Sequence, residues 1–364
     1  MFAIAFALLS VILVEPRSLP EQPFPDAQEY ADATRQLVSG EGYVTYVHGN
    51  VRHPPRYPPG FSLALVPFAI VGNYPSNVQM GAKLFAALYV LAAVFAAWRI
   101  GGWFAAAIVA AMIGVSPFAR TYASLVLSDA FAAGMTVLFI PLLHRLSTRR
   151  VALAGMLAGA LIAVRLPMAL NLAALLVVLP SWAFRRNLVL FASPFVAALG
   201  LYNWMTFSSP LRSGYSYWLP GIKNFDWSYA IALLPNRDGP WVVADALKGL
   251  LWQWMCPCSI GGPQATLPNI LFYPAILLGT FWIFAPPFVT LLGLVYVWTE
   301  RRETAAKFTL WLTMMSLMLY TFYFHQGTRF MAAPATLLLI YAAVAGARRA
   351  ERISPRTSAK HAES

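Results

Sequence analysis

Between Val78 and Pro117 the chain carries only two charged side chains, Lys83 and Arg99, and no carboxylate. In hydrocarbon no water is available to such a run, so its N–H and C=O groups must pair within the segment, which selects α-helix. The run is about twice the ~20 residues that cross a bilayer core of ~30 Å, so it reads as two spans. Their expected limits are 78 to 99 and 102 to 117.

The same reading along the rest of the chain gives eight more spans, at 1 to 14, 129 to 144, 151 to 164, 166 to 182, 187 to 207, 275 to 298, 305 to 324 and 329 to 346. With 59% hydrophobic and 11% charged residues, too little charge remains to cover a soluble surface. The predicted fold class is all-α, a polytopic membrane protein of about ten transmembrane helices. The first run has no basic n-region and no small-x-small cleavage site, so it is read as a span and not as a cleaved signal. The run Phe61 to Val71, bounded by Pro59 and Gly72, is too short to span and is expected to lie along the outer interface or dip into it.

Orientation follows from the basic residues. Fourteen of them, including Arg99, Arg145, Arg149, Arg185, Arg301 and Arg348, fall in segments on one side with only four carboxylates. The positive-inside rule makes that side cytoplasmic and places both termini there. Residues 1-346 are read as one transmembrane domain with outer loops 15-77 and 208-274, and 347-364 as a basic cytoplasmic tail. The net charge of +12 is dispersed through short segments and forms no stripe, so nucleic acid is excluded as a partner and the lipid bilayer is the expected one. No metal or cofactor is expected. Cys256 and Cys258 lack the companions a zinc site needs and stand too close for an unstrained bridge, and His48 and His53 have no second cluster beside them.

The first outer loop concentrates the polar chemistry. Asp26 to Val38 has helical spacing, with Tyr30, Ala33, Thr34 and Leu37 on one face, and is predicted to form a short amphipathic helix at the membrane surface. Asp26-x-x-Glu29 at its start is open to two readings, a capping pair or catalytic carboxylates. Asp129 after Ser128 is open to the same two. The segment His53-Pro54-Pro55-Arg56-Tyr57-Pro58-Pro59-Gly60 is stiff, because each proline sets its own φ and restricts the residue before it. Such a segment can hold Arg56 and Tyr57 in fixed positions, or can simply lead into the helix that follows.

Taken in order, these features resemble a family. Asp26-x-x-x-Tyr30, Gly40-Glu41-Gly42-Tyr43, Tyr57-Pro58-Pro59-Gly60-Phe61, Ser116-Pro117 with Ser128-Asp129, and Arg329-Phe330 with Pro334 are similar to the GT-C superfamily of integral-membrane glycosyltransferases. The likeness is to its bacterial protein-mannosyltransferase-like and aminoarabinose-transferase-like branch, and Tyr202-Asn203 with Phe207 to Tyr215 resembles a further segment of that branch. It runs from about residue 20 to 345.

The resemblance implies a polyprenyl-phosphate-linked sugar donor and a lipid, polysaccharide or protein acceptor. It implies that Asp26 is the general base and Asp129 a second outer carboxylate. Where many members carry an Asp-Glu pair, this chain has Asp26-Ala27, which leaves open whether Glu29 assists and weakens the case for a metal. A departing phosphate calls for cations, and guanidinium binds it bidentately. The outer-side candidates for holding it are Arg56, Arg120, Lys83, Arg165, Arg212 and Arg329, and substrate binding is assigned to Arg56, Arg120, Lys83 and Arg329 with Tyr57 and Tyr30. The expected activity is inverting transfer of a hexosyl or pentosyl group to a hydroxyl at the outer face of a bacterial inner membrane. The alternative is a transporter or flippase for a lipid-linked substrate, which would show a polar track through the spans.

Overall fold

A computed structural model describes residues 1–23, 25–218, 225–231, 268–278, 283–286, 288–323 and 327–353. Cys256, Cys258 and the tail beyond Ile353 lie outside them. The regular structure among the described residues is helical, with two isolated backbone bridges, Thr45 to His53 and Phe225 to Tyr323, and no strand. In chain order the helices are α1 (Phe2–Ile12), α2 (Asp26–Val38), α3 (Gly60–Val71), α4 (Ser76–Val115), α5 (Pro117–Ala123), α6 (Asp129–Val137), α7 (Phe139–Leu143) and α8 (Thr148–Val164). There follow α9 (Ala169–Val178), α10 (Trp182–Phe207), α11 (Gly214–Trp218), α12 (Ser228–Ile231), α13 (Asn269–Leu277), α14 (Val289–Thr299), α15 (Thr304–Thr321) and α16 (Ala332–Ile353).

Among the described residues three helical stretches are long and apolar enough to cross a membrane: Ser76–Val115, Trp182–Phe207 and Thr328–Arg352. An unbroken helix of 40 residues would be about 60 Å long, twice the bilayer core. The backbone of α4 leaves the helical region at Gly102, with φ 72° and ψ −172°. That break coincides with the boundary expected between 99 and 102, and glycine suits it because it carries no Cβ to oppose a positive φ.

Other expectations are corrected. The run 275 to 298 is not one helix: α13 stops at Leu277, Ile283 to Pro286 are non-helical, and α14 begins only at Val289. Hydropathy is continuous there, but Pro286 and Pro287 each lack a backbone N–H and interrupt any helix through them. The helix expected from 187 starts at Trp182, capped by the Ser181 hydroxyl, which accepts from the Phe184 N–H at 3.3 Å.

Two close approaches bring the segment 53 to 60 onto the neighbouring helices. A Cβ on Gly60, at the start of α3, would lie 2.5 Å from the Ala163 carbonyl oxygen at the end of α8. One on Gly214, at the start of α11, would lie 2.3 Å from the Pro55 oxygen and 2.6 Å from Arg56 Cα. Only residues without a side chain permit either contact, so the proline segment is held between α8 below and α11 alongside. On its other flank α2 packs on α3, where the Ser62 hydroxyl donates to the Tyr30 carbonyl at 3.2 Å.

Candidate active site

Helix α2 has the limits expected of it, but its acidic residues do not cap it. The N-cap position is Pro25, and no side chain bonds to the free N–H groups of the first turn. Asp26 instead turns across to the proline segment and to the far end of the chain. Its Oδ1 accepts the Tyr57 hydroxyl, and its Oδ2 accepts from Arg329 Nη2 at 2.6 Å. Asp129, at the start of α6, likewise makes no cap bond. Its Oδ1 accepts from Arg165 Nη1, and its Oδ2 lies 3.8 Å from Arg329 Nη1. Two carboxylates and two guanidinium groups thus form one chain, Asp26 to Arg329 to Asp129 to Arg165, with no net charge.

The surrounding side chains are aromatic. Tyr30 stacks on Tyr57 with ring centroids 4.8 Å apart and shares a 3.2 Å hydrogen bond with the Ser128 hydroxyl. The Phe330 ring lies 5.8 Å from the Arg165 guanidinium and 5.5 Å from that of Arg329, within cation–π range of both. Burial pushes the Asp26 carboxyl up, but Arg329 and the Tyr57 hydroxyl outweigh it and hold it below the usual carboxylate value. Burial raises the Tyr57 hydroxyl well above its ordinary value. Both shifts agree with a donating tyrosine and an ionised aspartate.

Glu29 lies one turn beyond Asp26 and is only 1% exposed. Asp26 and Glu29, at i and i+3 on one helix face, grip the consecutive residues Tyr57 and Arg56. The Arg56 N–H donates to Glu29 Oε1 at 3.1 Å, Arg56 Nε stands 3.7 Å from Oε2, and His48 Nε2 is 3.5 Å from Oε1. At 3.7 Å the second contact is an ion pair without a hydrogen bond, and neither of its buried atoms has a hydrogen-bond partner among the described residues. Burial pushes the Glu29 carboxyl up to about 7, against the pull of Arg56. Glu29 thus contacts the proline segment at Arg56, while Asp26 holds the adjacent Tyr57.

A raised folded value means that Glu29 stabilises the protein fully when protonated, below its ordinary range, and that this contribution is lost as pH rises through about 7. Wild-type protein is expected to lose thermal stability between pH 5 and pH 8 through this group. Glu29→Gln, which keeps an acceptor for the Arg56 N–H, is expected to show a shallower decline. Melting curves in detergent at the two pH values measure the difference, and parallel declines would place the titration elsewhere.

Two residues expected with the phosphate-binding cations stand apart. Lys83 is buried and donates to the Ile12 carbonyl at 2.9 Å, closing the end of α1 against α4. Arg120 is exposed on the last turn of α5 and lines a different cavity. Arg165, by contrast, is central. It follows the last residue of α8 in extended conformation and leads into a short turn at Leu166–Met168, which aims it at Asp129. The clue available in the sequence is a lone arginine between two apolar runs, two residues before Pro167. Among the described residues no three His, Cys, Asp or Glu side chains converge as metal ligands would.

Beside the charged chain lies a cavity of about 270 Å³, with Arg165 at its edge and Tyr215, Tyr320, Tyr323, Phe330 and Leu170 among its walls. A mostly apolar chamber with one guanidinium at its rim suits an amphiphile that has an anionic end.

Among the described residues, then, a helical fold with three stretches long and apolar enough to cross a membrane carries a paired cluster of two aspartates and two arginines beside an apolar cavity. No family model matches the chain, and no curated protein matches it. Among solved structures it is similar to ArnT from Cupriavidus metallidurans in the apo state, with a TM-score of 0.60 and 17% identity over 98% of this chain and 60% of that one. ArnT bound to undecaprenyl phosphate gives 0.58 and 16% over the same shares. The Archaeoglobus fulgidus oligosaccharyltransferase in the apo form gives 0.54 and 11% over 96% of this chain and 50% of that one. The chain thus spans 60% of the ArnT length and half of the oligosaccharyltransferase. At these identities the likeness is one of fold.

Proposed function

We propose that the chain is a membrane glycosyltransferase that moves a sugar from a polyprenyl-phosphate-linked donor to a hydroxyl acceptor. The observation that carries this reading is the placement of Asp26, Asp129, Arg165 and Arg329 in one paired cluster beside an apolar, aromatic-walled cavity. An ArnT structure of the same fold is one bound to undecaprenyl phosphate, which supports a polyprenyl phosphate as the carrier. The prenyl chain would occupy the apolar cavity, and its phosphate would meet Arg165 and Arg329.

In the reaction the bond between the anomeric carbon and the phosphate oxygen breaks, and its electron pair leaves with the phosphate. The acceptor oxygen forms the new bond from the opposite face, with inversion, and its proton passes to Asp26. A carboxylate tied to Arg329 is a weak base. A phosphate that draws the guanidinium toward itself restores the basicity of Asp26 as the donor binds. The positive-inside asymmetry supports an orientation in which the cluster faces outward and both termini are cytoplasmic.

A carrier would need polar groups along its spans. The buried carboxylates among the described residues, Glu29 and Asp129, instead belong to the cluster or its support. Purified protein incubated with a panel of polyprenyl-phosphate sugars and mixed acceptors is expected to release free polyprenyl phosphate. Release from none of them would sink the glycosyltransferase reading.

A further inference from the structure

We infer that a membrane lipid with a net-anionic phosphate head group binds in a second, polar cavity on the far side of α5 from the paired cluster. This cavity has a volume of about 330 Å³ and is lined by Val14, Glu15, Arg17, Arg120, Thr121 and Ser124. Helix α5 separates it from the cluster: Tyr122 is buried and feels the charges of Asp129 and Arg329, while the neighbouring Arg120 is exposed to the cavity. Nothing in the proposed transfer reaction uses it.

The cavity is built to present positive charge. The backbone of Arg17 is pinned three times: its N–H donates to the Ser124 carbonyl at 3.1 Å, and its carbonyl accepts from Gln22 Nε2 at 2.7 Å and from Gln79 Nε2 at 2.8 Å. Its side chain nevertheless stands exposed, and neither Arg17 nor Arg120 forms an ion pair with a described residue. Two guanidinium groups face one carboxylate, Glu15, leaving an excess positive charge. Guanidinium is the side chain best matched to phosphate oxygens, and the Thr121 hydroxyl adds a further donor.

The neighbouring surface decides that the phosphate is a lipid's. Leading away from the cavity along α1 and the end of α4 are exposed apolar side chains: Leu13 at 74%, Leu9 at 51%, Ile12 at 48% and Val115 at 42%. A cationic pocket that continues into an exposed apolar strip fits a molecule with an anionic head and hydrocarbon chains. A free anion would have no use for the strip. The inference does not depend on the proposed reaction, since binding alone is measured.

The test is native mass spectrometry of the purified full chain in detergent, titrated with phosphatidylglycerol or with phosphatidylcholine. Wild-type protein is expected to retain one tightly held phosphatidylglycerol. The Arg17→Gln/Arg120→Gln variant is expected to bind it about thirtyfold more weakly, as two cations of about 1 kcal/mol each near a membrane surface would give. Each single substitution should take roughly half of that free energy, and Arg120→Lys should lose less than Arg120→Gln. Phosphatidylcholine should be unaffected by every variant. Unchanged phosphatidylglycerol affinity in the folded double variant, or in both single variants if the double one does not fold, overturns the inference. Displacement of the lipid by an equal concentration of inorganic phosphate overturns the choice of a lipid and assigns the pocket to a free anion.

Discussion

Asp26→Asn is expected to lower turnover by about 10²–10⁴-fold, the range typical of losing a positioned base, in a protein that still folds. The substitution is nearly isosteric, and the amide oxygen can still accept the Tyr57 hydroxyl. No helix cap is lost, because Asp26 makes none. What disappears is the proton acceptor and the ion pair to Arg329, whose Nη2 would then face an amide N–H₂ in place of a carboxylate oxygen. The pH behaviour separates the two losses. The folded carboxyl of Asp26 is held below its ordinary value, so its stabilisation is present above that value and fades as pH falls through the lowered one. The variant should therefore melt below wild type at pH 7, and the gap should close in acid. Wild-type turnover in a folded Asp26→Asn protein would remove Asp26 from the role of base.

What could be read from the sequence was local, and what could not was the pairing. The limits of α2 follow from the period of its apolar face, and the helix runs from Asp26 to Val38 as expected. The rigidity of residues 53 to 60 follows from four prolines. The order of the loop motifs brought Asp26, Tyr57, Asp129 and Arg329 together as candidates, and the fold places all four within one network. Which way each carboxylate turns was not legible, because a capping bond is made within one turn whereas Asp26 finds Arg329 at a separation of 303 residues. Arg165 was visible as an outer cation between two apolar runs, but its pairing was not, because its partner is 36 positions away on another helix. Lys83 and Arg120 expose a different limit. Charge asymmetry assigns a residue to one side of a membrane but says nothing about its azimuth around the bundle, and both of these point away from the cluster. The missed interruption within 275 to 298 came from weighing hydropathy above the proline pair at 286 and 287, which removes two helix hydrogen bonds whatever the apolar content.

Arg329 offers the sharpest test of how the cluster works, since it is the only described cation that touches both aspartates. Nη2 reaches Asp26 at 2.6 Å while Nη1 stands 3.8 Å from Asp129, a division of labour that needs a planar fork. Arg329→Lys keeps one charge but can serve only one carboxylate, or one phosphate oxygen, at a time. Arg329→Met keeps the packed stem against Phe330 and removes the charge altogether. Graded loss of turnover is expected, with lysine intermediate and methionine the more severe of the two. The methionine variant should also lose stability by about 3–5 kcal/mol, the usual cost of stripping one partner from a buried pair. The turnover defect should appear with every acceptor and should not be rescued by raising acceptor concentration, because the missing interaction develops on the departing phosphate. Steady-state rates with two unrelated acceptors, measured beside melting curves, distinguish a lost clamp from a lost fold. If both variants are folded and turn over like wild type, Arg329 serves only to neutralise the aspartates, and Arg165, the remaining guanidinium at the mouth of the apolar cavity, is the group that must hold the phosphate.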